Sequence, residues 1–346
     1  LGVLGLWCSL RGILPLSAVN FWFFSFLVFL VALYRPIWIF LLLVGMLPYE
    51  IINLAPVELG VFLRPYQWLL VILIGALLVR SLTKRPVVQR IYFEWWDILP
   101  LLFLAGAGFA ALRAEPSGPA FKLAFVLASF VALLFAVKVL VRSTRELVHV
   151  VPFLLTSFGV VAIWSVLQNV LFAMGTTSVE IMAGRPNGTF SEADWLGMYM
   201  LFIAAIALGW LYRQTVQEQK CSTLFLPLSI LFMSTLVLVL SMTRSAWLGF
   251  AAMGGFFALA TLVTFGKLGT PKRGLLLLGC TGTVVVLAIV IVPVFHVSRF
   301  NLFERAVSTG GVQKITIACT EARSLPERIQ SLEELPALGC QHINLE

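Results

Sequence analysis

Uninterrupted apolar runs, each as long as a membrane is thick, constrain this chain more than any other feature. Residues 223–240 and 275–292 contain no charged side chain. About 20 apolar residues cross the hydrocarbon layer as a helix, whereas a membrane β-barrel shows shorter segments of alternating hydrophobicity. The runs therefore predict an all-α, polytopic bundle of transmembrane helices. Lipid rather than water would surround much of its surface.

The composition excludes an ordinary soluble domain. Of the 346 residues, 60% are hydrophobic and only 12% are charged, against about 25% charged in soluble domains. The net charge of +8 comes from Lys and Arg in short loops between apolar runs. No basic stripe interleaved with aromatic residues is present, so nucleic acid is not expected as a partner.

The apolar runs predict ten transmembrane spans, and residues 1–16 would make an eleventh. The predicted spans are 18–34, 36–54, 66–80, 97–112, 120–141, 147–173, 191–212, 223–242, 246–266 and 274–294. Residues 1–312 would then form one membrane domain. The polar residues 313–346 contain no span, and we expect a tail that is an altered or truncated extracytoplasmic loop, with 321–335 as a candidate amphipathic helix.

The distribution of basic residues predicts the orientation of the spans. The loops around 80–90, 138–145 and 267–273 fall on one side and are richer in Lys and Arg than those on the other side. Short basic loops stay in the cytoplasm. The segments 174–190, 242–246 and 295–312 therefore face the other compartment together, and each contains arginine.

The five cysteines lie at positions 8, 221, 280, 319 and 340. Their spacing matches no metal-ligand pattern, and we expect neither a metal nor a cofactor. Cys319 and Cys340 could form a disulfide if the tail is extracytoplasmic.

Arg185 opens the segment RPNGTF, in which Asn-Gly is a turn signal. Residues 191–194 resemble a capping box and predict the start of a helix. A helix N-terminus offers free N–H groups to an anion, and an arginine adds a bidentate fork for phosphate oxygens. Arg185 is therefore a candidate catalytic and substrate-binding residue. In the alternative interpretation, it pairs with Glu180 or Asp194 and only anchors the loop.

Arg244 lies in SMTRSAWLG (241–249), which joins two apolar runs with almost no polar loop. An arginine within a span costs about 2.5–3.5 kcal/mol on insertion scales, and less at a span end, where the side chain can reach water. The alternative is thus an interfacial arginine without a ligand. Because Arg244 shares a membrane side with Arg185, we treat it as a second candidate catalytic and substrate-binding residue.

His296, Arg299 and Arg305 directly follow the last predicted span. His296 is a candidate general base, and Glu180 is a weaker one. Arg299 and Arg305 are candidate substrate-binding residues. The alternatives are a polar anchor at the interface for the histidine and lipid headgroup binding for the arginines.

Two motifs follow one another on the same membrane side, RPNGTFSEADWLGMYM (185–200) and SMTRSAWLG (241–249). With the basic loop and helix of residues 138–168, they resemble the O-antigen ligase and polymerase superfamily of membrane glycosyltransferases. Members of this superfamily carry R-x-x-G-T-F before one helix and an S-x-S/T-R-S/G-A-type turn between two later helices. The resemblance covers residues 35–312.

The resemblance implies transfer of a glycan from a polyprenyl diphosphate carrier to a hydroxyl of a lipid, sugar or protein acceptor. It implies a bacterial inner membrane protein with a periplasmic active face, acting in cell-surface polysaccharide or lipopolysaccharide biosynthesis. Neither a nucleotide sugar nor an obligatory metal is implied. Arg185 matches the loop arginine and Arg244 the turn arginine, and both would hold the diphosphate.

Two features depart from the family pattern. Residues 191–194 replace an Asn-Pro-Asn-like sequence, and residues 313–346 do not resemble the long histidine-bearing loop and closing spans of the family.

A transporter or flippase for a lipid-linked glycan is the alternative function, and it would show a polar path and two related halves. A structural membrane protein is a third possibility.

Overall fold

Ten α-helices make up most of the described chain in this computed structural model. The structure describes residues 14–83, 93–115, 117–141, 143–175, 185–217, 221–294, 317–319 and 340–342. The helices are α1 (Ala18–Tyr34), α2 (Pro36–Met46), α3 (Pro65–Leu82), α4 (Ile98–Arg113), α5 (Ser117–Leu140), α6 (Thr144–Ala173), α7 (Ala193–Val216), α8 (Phe225–Leu240), α9 (Arg244–Lys267) and α10 (Pro271–Val294).

Eight helical segments, α3 to α10, are long and apolar enough to cross a membrane. For α4 and α8 this length includes the 3-10 turn before each helix, which gives Trp95–Arg113 and Ser222–Leu240. The apolar helices α1 and α2 are shorter than these segments. This confirms the all-α polytopic bundle. Pro36, Pro65 and Pro271 each occupy the first position of a helix, where a missing N–H breaks no intrahelical hydrogen bond.

The second predicted span is wrong at its C-terminal end. We expected a helix over 36–54, but α2 ends at Met46. Pro48 lacks an N–H and disfavours helical geometry in the residue before it. Residues 47–64 form a folded connection instead, in which Asn53 Oδ1 accepts hydrogen bonds from the backbone N–H groups of Ala55 (3.1 Å) and Leu63 (2.9 Å).

The core of the bundle lies around α7 and α8. The buried positions of α7 recur every three or four residues, at Leu196, Met200, Ile203, Ala207 and Leu211, which is the period of a helix face. α7 packs most extensively against α8, and α8 also packs against α10. Elsewhere α2 packs against α3 and α6.

Successive helices run in opposite directions, so their connections fall at two ends of the bundle. Residues 47–64, 185–192 and 241–243 meet at one end, where hydrogen bonds join them. We call this the three-loop end. The last turns of α1, α3 and α5 and the first turns of α2 and α6 lie at the opposite end.

Two three-residue strands belong to the polar tail. β1 (Ile317–Cys319) pairs antiparallel with β2 (Cys340–His342), and Cys319 is opposite Cys340 in this register. Cys340 is buried and disulfide-bonded. The candidate helix over 321–335 lies outside the described residues, as does nearly all of the possible span over 1–16.

Candidate functional site

Gln168, near the end of α6, holds the loop that begins at Arg185. The Gly188 N–H donates to Gln168 Oε1 at 2.7 Å, and Gln168 Nε2 donates to the Gly188 carbonyl at 3.2 Å. Gly188 has φ +60°, and a Cβ there would lie 2.6 Å from Ser165 Oγ. Both the left-handed backbone and the close approach require glycine at this turn.

The same loop is also hydrogen-bonded to the connection between α2 and α3. Thr189 Oγ1 donates to the Pro48 carbonyl at 2.6 Å, and the Ile51 N–H donates to the Thr189 carbonyl at 3.2 Å. Ser191 Oγ donates to Glu50 Oε2 at 2.9 Å. Hydrogen bonds to residues far earlier in the chain therefore hold this loop in place.

Glu50 and Arg64 join the three-loop end, although the sequence motifs did not include them. Arg64 Nη1 lies 3.7 Å from Glu50 Oε1 and donates to the Tyr66 hydroxyl at 3.3 Å. Burial raises the pKa of neighbouring Tyr49 to about 12. The predicted topology was the one available indication that they belong to the site, since it places Glu50 and Arg64 at span ends on the same membrane side as Arg185.

Arg185 is bound on two sides by the protein. Its Nη2 donates to Asp194 Oδ1 at 2.8 Å, and Nε and Nη2 donate to the Ser241 carbonyl at 3.3 and 3.2 Å. The side chain is 16% exposed. Of the two partners considered for an anchoring role, Asp194 takes it, and Glu180 lies outside the described residues. Arg185 thus ties the start of α7 to the turn between α8 and α9.

That turn, Ser241–Thr243, approaches α7 closely. A Cβ on Gly197 would lie 2.8 Å from Thr243 Cβ and 2.9 Å from Ser241 Oγ. Thr243 Oγ1 is also within hydrogen-bonding distance of Asp194 Oδ1, at 3.1 Å. Met242 is buried with φ +55°, a left-handed conformation that costs a non-glycine residue about 1–3 kcal/mol and that the surroundings must hold.

The predicted capping box at residues 191–194 is wrong. α7 begins at Ala193, and its N-cap residue Glu192 makes no side-chain capping bond. Ser191 instead donates to Glu50, and Asp194 accepts from Arg185 and Thr243. Partners from other segments have displaced the local capping pattern.

Arg244 is the first residue of α9 and is half-buried. In the part of the chain that the structure describes, it has no hydrogen-bond or ion-pair acceptor, unlike Arg64 and Arg185. The first intrahelical bond here runs from the Trp247 N–H to the Thr243 carbonyl. The backbone N–H groups before Trp247 therefore add to the positive end of the helix beside the guanidinium.

An apolar cavity of about 850 Å³ lies between α7, α8, α9 and α10. Trp247, one turn after Arg244, lines it, and its indole N–H donates to the Leu238 carbonyl at 3.1 Å. Among the described residues, the hydroxyl groups in the lining are those of Thr235 and Thr281. The cavity is suited to a hydrocarbon chain.

The remaining candidates from the sequence, His296, Arg299 and Arg305, lie outside the described residues. Within the described residues, no group of three His, Cys, Asp or Glu side chains could hold a metal ion.

In comparisons with known proteins, no family model matches this chain, and neither a curated protein nor a solved structure matches it.

Proposed function

We propose that this chain is a membrane glycosyltransferase that takes a glycan from a polyprenyl diphosphate carrier and passes it to an acceptor hydroxyl. The observation that carries the proposal is Arg244: a half-buried arginine at a helix N-terminus, without a protein acceptor among the described residues, beside a turn fixed by two neighbouring segments. The sequence resemblance supplies the reaction.

Arg244 is the proposed contact to the diphosphate. Its guanidinium and the first N–H groups of α9 would together stabilise the negative charge that develops as the carrier leaves. In this proposal Arg185 acts on the site through the protein. Because it is already bound to Asp194 and Ser241, it positions the turn that carries Arg244 and adds positive charge nearby.

The apolar cavity supports a lipid-linked substrate. It starts one turn from Arg244 at Trp247 and runs between helices that cross the membrane. An isoprenoid chain in this cavity would leave its diphosphate at the three-loop end. The acceptor hydroxyl would attack the anomeric carbon, the bond between that carbon and the phosphate oxygen would break, and His296 would take the hydroxyl proton.

The lining of the cavity disfavours a flippase that moves glycans through this bundle region. The hydroxyl groups of a glycan lose hydrogen bonds to water on such a path and need polar partners in exchange, and the two threonine hydroxyls in the described lining offer few. On this proposal the protein lies in a bacterial inner membrane with the three-loop end on the periplasmic side, and acts in cell-surface polysaccharide biosynthesis.

Ligand-induced thermal stabilisation of the detergent-purified chain tests the proposal, with a polyprenyl diphosphate-linked glycan as ligand. We expect wild type to be stabilised and Arg244→Gln to bind at least about tenfold more weakly, since a hydrogen bond to a charged group contributes about 1.5–3 kcal/mol. The melting temperature without ligand should be unchanged. Arg185→Ala should lower both the affinity for the ligand and the melting temperature without ligand, because it also loosens the turn.

Arg113→Gln is the matched control, because Arg113 is an exposed arginine at a helix end on the same side of the bundle. Equal binding by wild type and Arg244→Gln, or an absence of stabilisation in folded wild type, would refute the diphosphate site. Release of free carrier diphosphate on addition of acceptor separates transfer from binding alone, and binding without release would favour the transporter.

A further inference from the structure

A second cavity, of about 550 Å³, lies at the opposite end of the bundle from Arg244. It is formed by the end of α1, the start of α2, the end of α5 and the start of α6, together with Arg80 from the last turn of α3. Arg35, Arg80 and His149 line it, and none of the lining residues among those that the structure describes is acidic. The described wall of the cavity is therefore rich in nitrogen donors.

Arg80 is the buried member of this set, with 8% of its surface exposed. Its Nη1 donates to the carbonyls of Leu33 and Tyr34, the last two residues of α1, so it caps that helix. Its Nε is buried and has no acceptor among the described residues. A buried cationic group is costly unless its charge is compensated, and Arg80 lines this cavity, so an anion bound there would reduce that cost.

Arg35 is the exposed member. Its guanidinium lies over the ring of Tyr34, 5.1 Å from the centroid, and no hydrogen bond or ion pair engages it within the described ranges. It directly precedes Pro36, the first residue of α2, so the positive end of that helix faces the same region. His149, exposed near the start of α6, adds a further nitrogen donor.

The aromatic residues of the cavity place it at the level of lipid headgroups. Tyr34 and Trp38 line it and are 73% and 63% exposed. Tyrosine and tryptophan prefer the membrane interface. Phe26 and Leu30, one turn apart and also exposed, continue from Tyr34 along one face of α1 into the hydrocarbon layer.

We propose that this cavity binds the phosphate of an anionic phospholipid headgroup. The headgroup phosphate accepts from Arg35, His149 and Arg80, and an acyl chain lies along the exposed face of α1. Basic pockets between transmembrane helices are suited to such lipids. The site is separate from the diphosphate site, and it does not depend on the proposed transfer reaction.

Thermal stabilisation of the full chain in dodecyl maltoside tests the proposal with three additives: phosphatidylglycerol, phosphatidylcholine with the same acyl chains, and inorganic phosphate. We expect phosphatidylglycerol to raise the melting temperature in a saturable way and the other two additives to have little effect. A similar shift with phosphatidylcholine would overturn the role of the anionic headgroup. A similar shift with inorganic phosphate would overturn the lipid as the ligand.

Variants of the exposed donors locate the binding. Since Arg80 also caps α1, its replacement would damage the fold, so Arg35→Gln and His149→Gln are the test variants. Arg35→Gln should weaken phosphatidylglycerol binding at least about tenfold, as expected for a lost charged hydrogen bond, and His149→Gln should weaken it less. Arg113→Gln is the control, because Arg113 also lies over a ring, that of Phe109 at 5.6 Å, but lines neither cavity. Wild-type affinity in Arg35→Gln, or an equal loss in Arg113→Gln, would refute the site.

Discussion

The contact between Gly197 and the turn before Arg244 allows a sharp test of how the three-loop end is held together. Gly197→Ala would place a methyl carbon 2.8 Å from Thr243 Cβ. Carbon atoms in contact are about 3.5–4.0 Å apart, so the turn or α7 must move by about 0.7 Å or more. Thr243 Cβ is attached to the backbone, and rotation of its side chain would not remove the clash.

The expected cost of Gly197→Ala is about 1–3 kcal/mol for overpacking. A shift of the turn would also lengthen the contacts of the Thr243 hydroxyl with the Ala193 carbonyl and Asp194 Oδ1, both 3.1 Å and sharing its single proton, which adds to the loss. The free energy of unfolding, from sodium dodecyl sulfate titration of protein in mild detergent, is the measurement. Binding of the lipid-linked diphosphate should weaken in parallel, since Arg244 follows the displaced residue.

Two other glycines provide matched comparisons. A Cβ on Gly209, in the same helix, meets no atom within 4 Å, so Gly209→Ala should not lower the free energy of unfolding and should raise it by up to about 1 kcal/mol, because alanine favours a helix over glycine. A Cβ on Gly249 meets Leu201 Cδ2, also at 2.8 Å, but that atom is the tip of a flexible side chain. Gly249→Ala should therefore cost less than Gly197→Ala. Equal stability of the Gly197 and Gly209 variants would refute the close approach of α7 and the turn.

Two further substitutions test the hydrogen bonds of the loop. Gln168→Leu removes both bonds to Gly188 and leaves buried backbone groups without partners, so unfolding free energy should fall by about 1–3 kcal/mol; a change within error would show that the loop does not depend on the amide. Thr189→Val removes the buried hydrogen bond to the Pro48 carbonyl and should lower the free energy of thermal unfolding by a similar amount. Thr156→Val is the control, because it removes an exposed hydrogen bond to another proline carbonyl and should be nearly neutral. Equal losses of stability in the two variants would contradict the role of burial.

The helices could be predicted from the sequence because lipid imposes a simple rule on length and hydropathy. The rule failed at the end of α2, where Ile51, Ile52 and Leu54 continue the apolar character beyond Pro48. Tyr49 and Ile52 are buried against other parts of the protein, and hydropathy alone does not distinguish burial in protein from burial in lipid. A proline within an apolar run was the available signal.

The candidate site was predicted only in part. The common membrane side of Arg185 and Arg244 followed from counting spans, and Asp194 was one of the considered partners of Arg185. The bond between Ser191 and Glu50 could not be predicted, because no local spacing encodes a contact between residues so distant in the chain. The failed capping box has the same cause, since Ser191 and Asp194 bind other segments.

The bond between Thr189 and Pro48 has a consequence for how the protein is made, because the two residues are 141 positions apart. At synthesis rates of about 5–20 residues per second, the Pro48 carbonyl waits roughly 7 to 28 seconds for its donor to emerge from the ribosome. The turn that carries Arg244 emerges later still. The connection between α2 and α3 must therefore remain intact in the membrane without its later partners, and the ion pair between Glu50 and Arg64, both within or next to that connection, is available to support it during this interval.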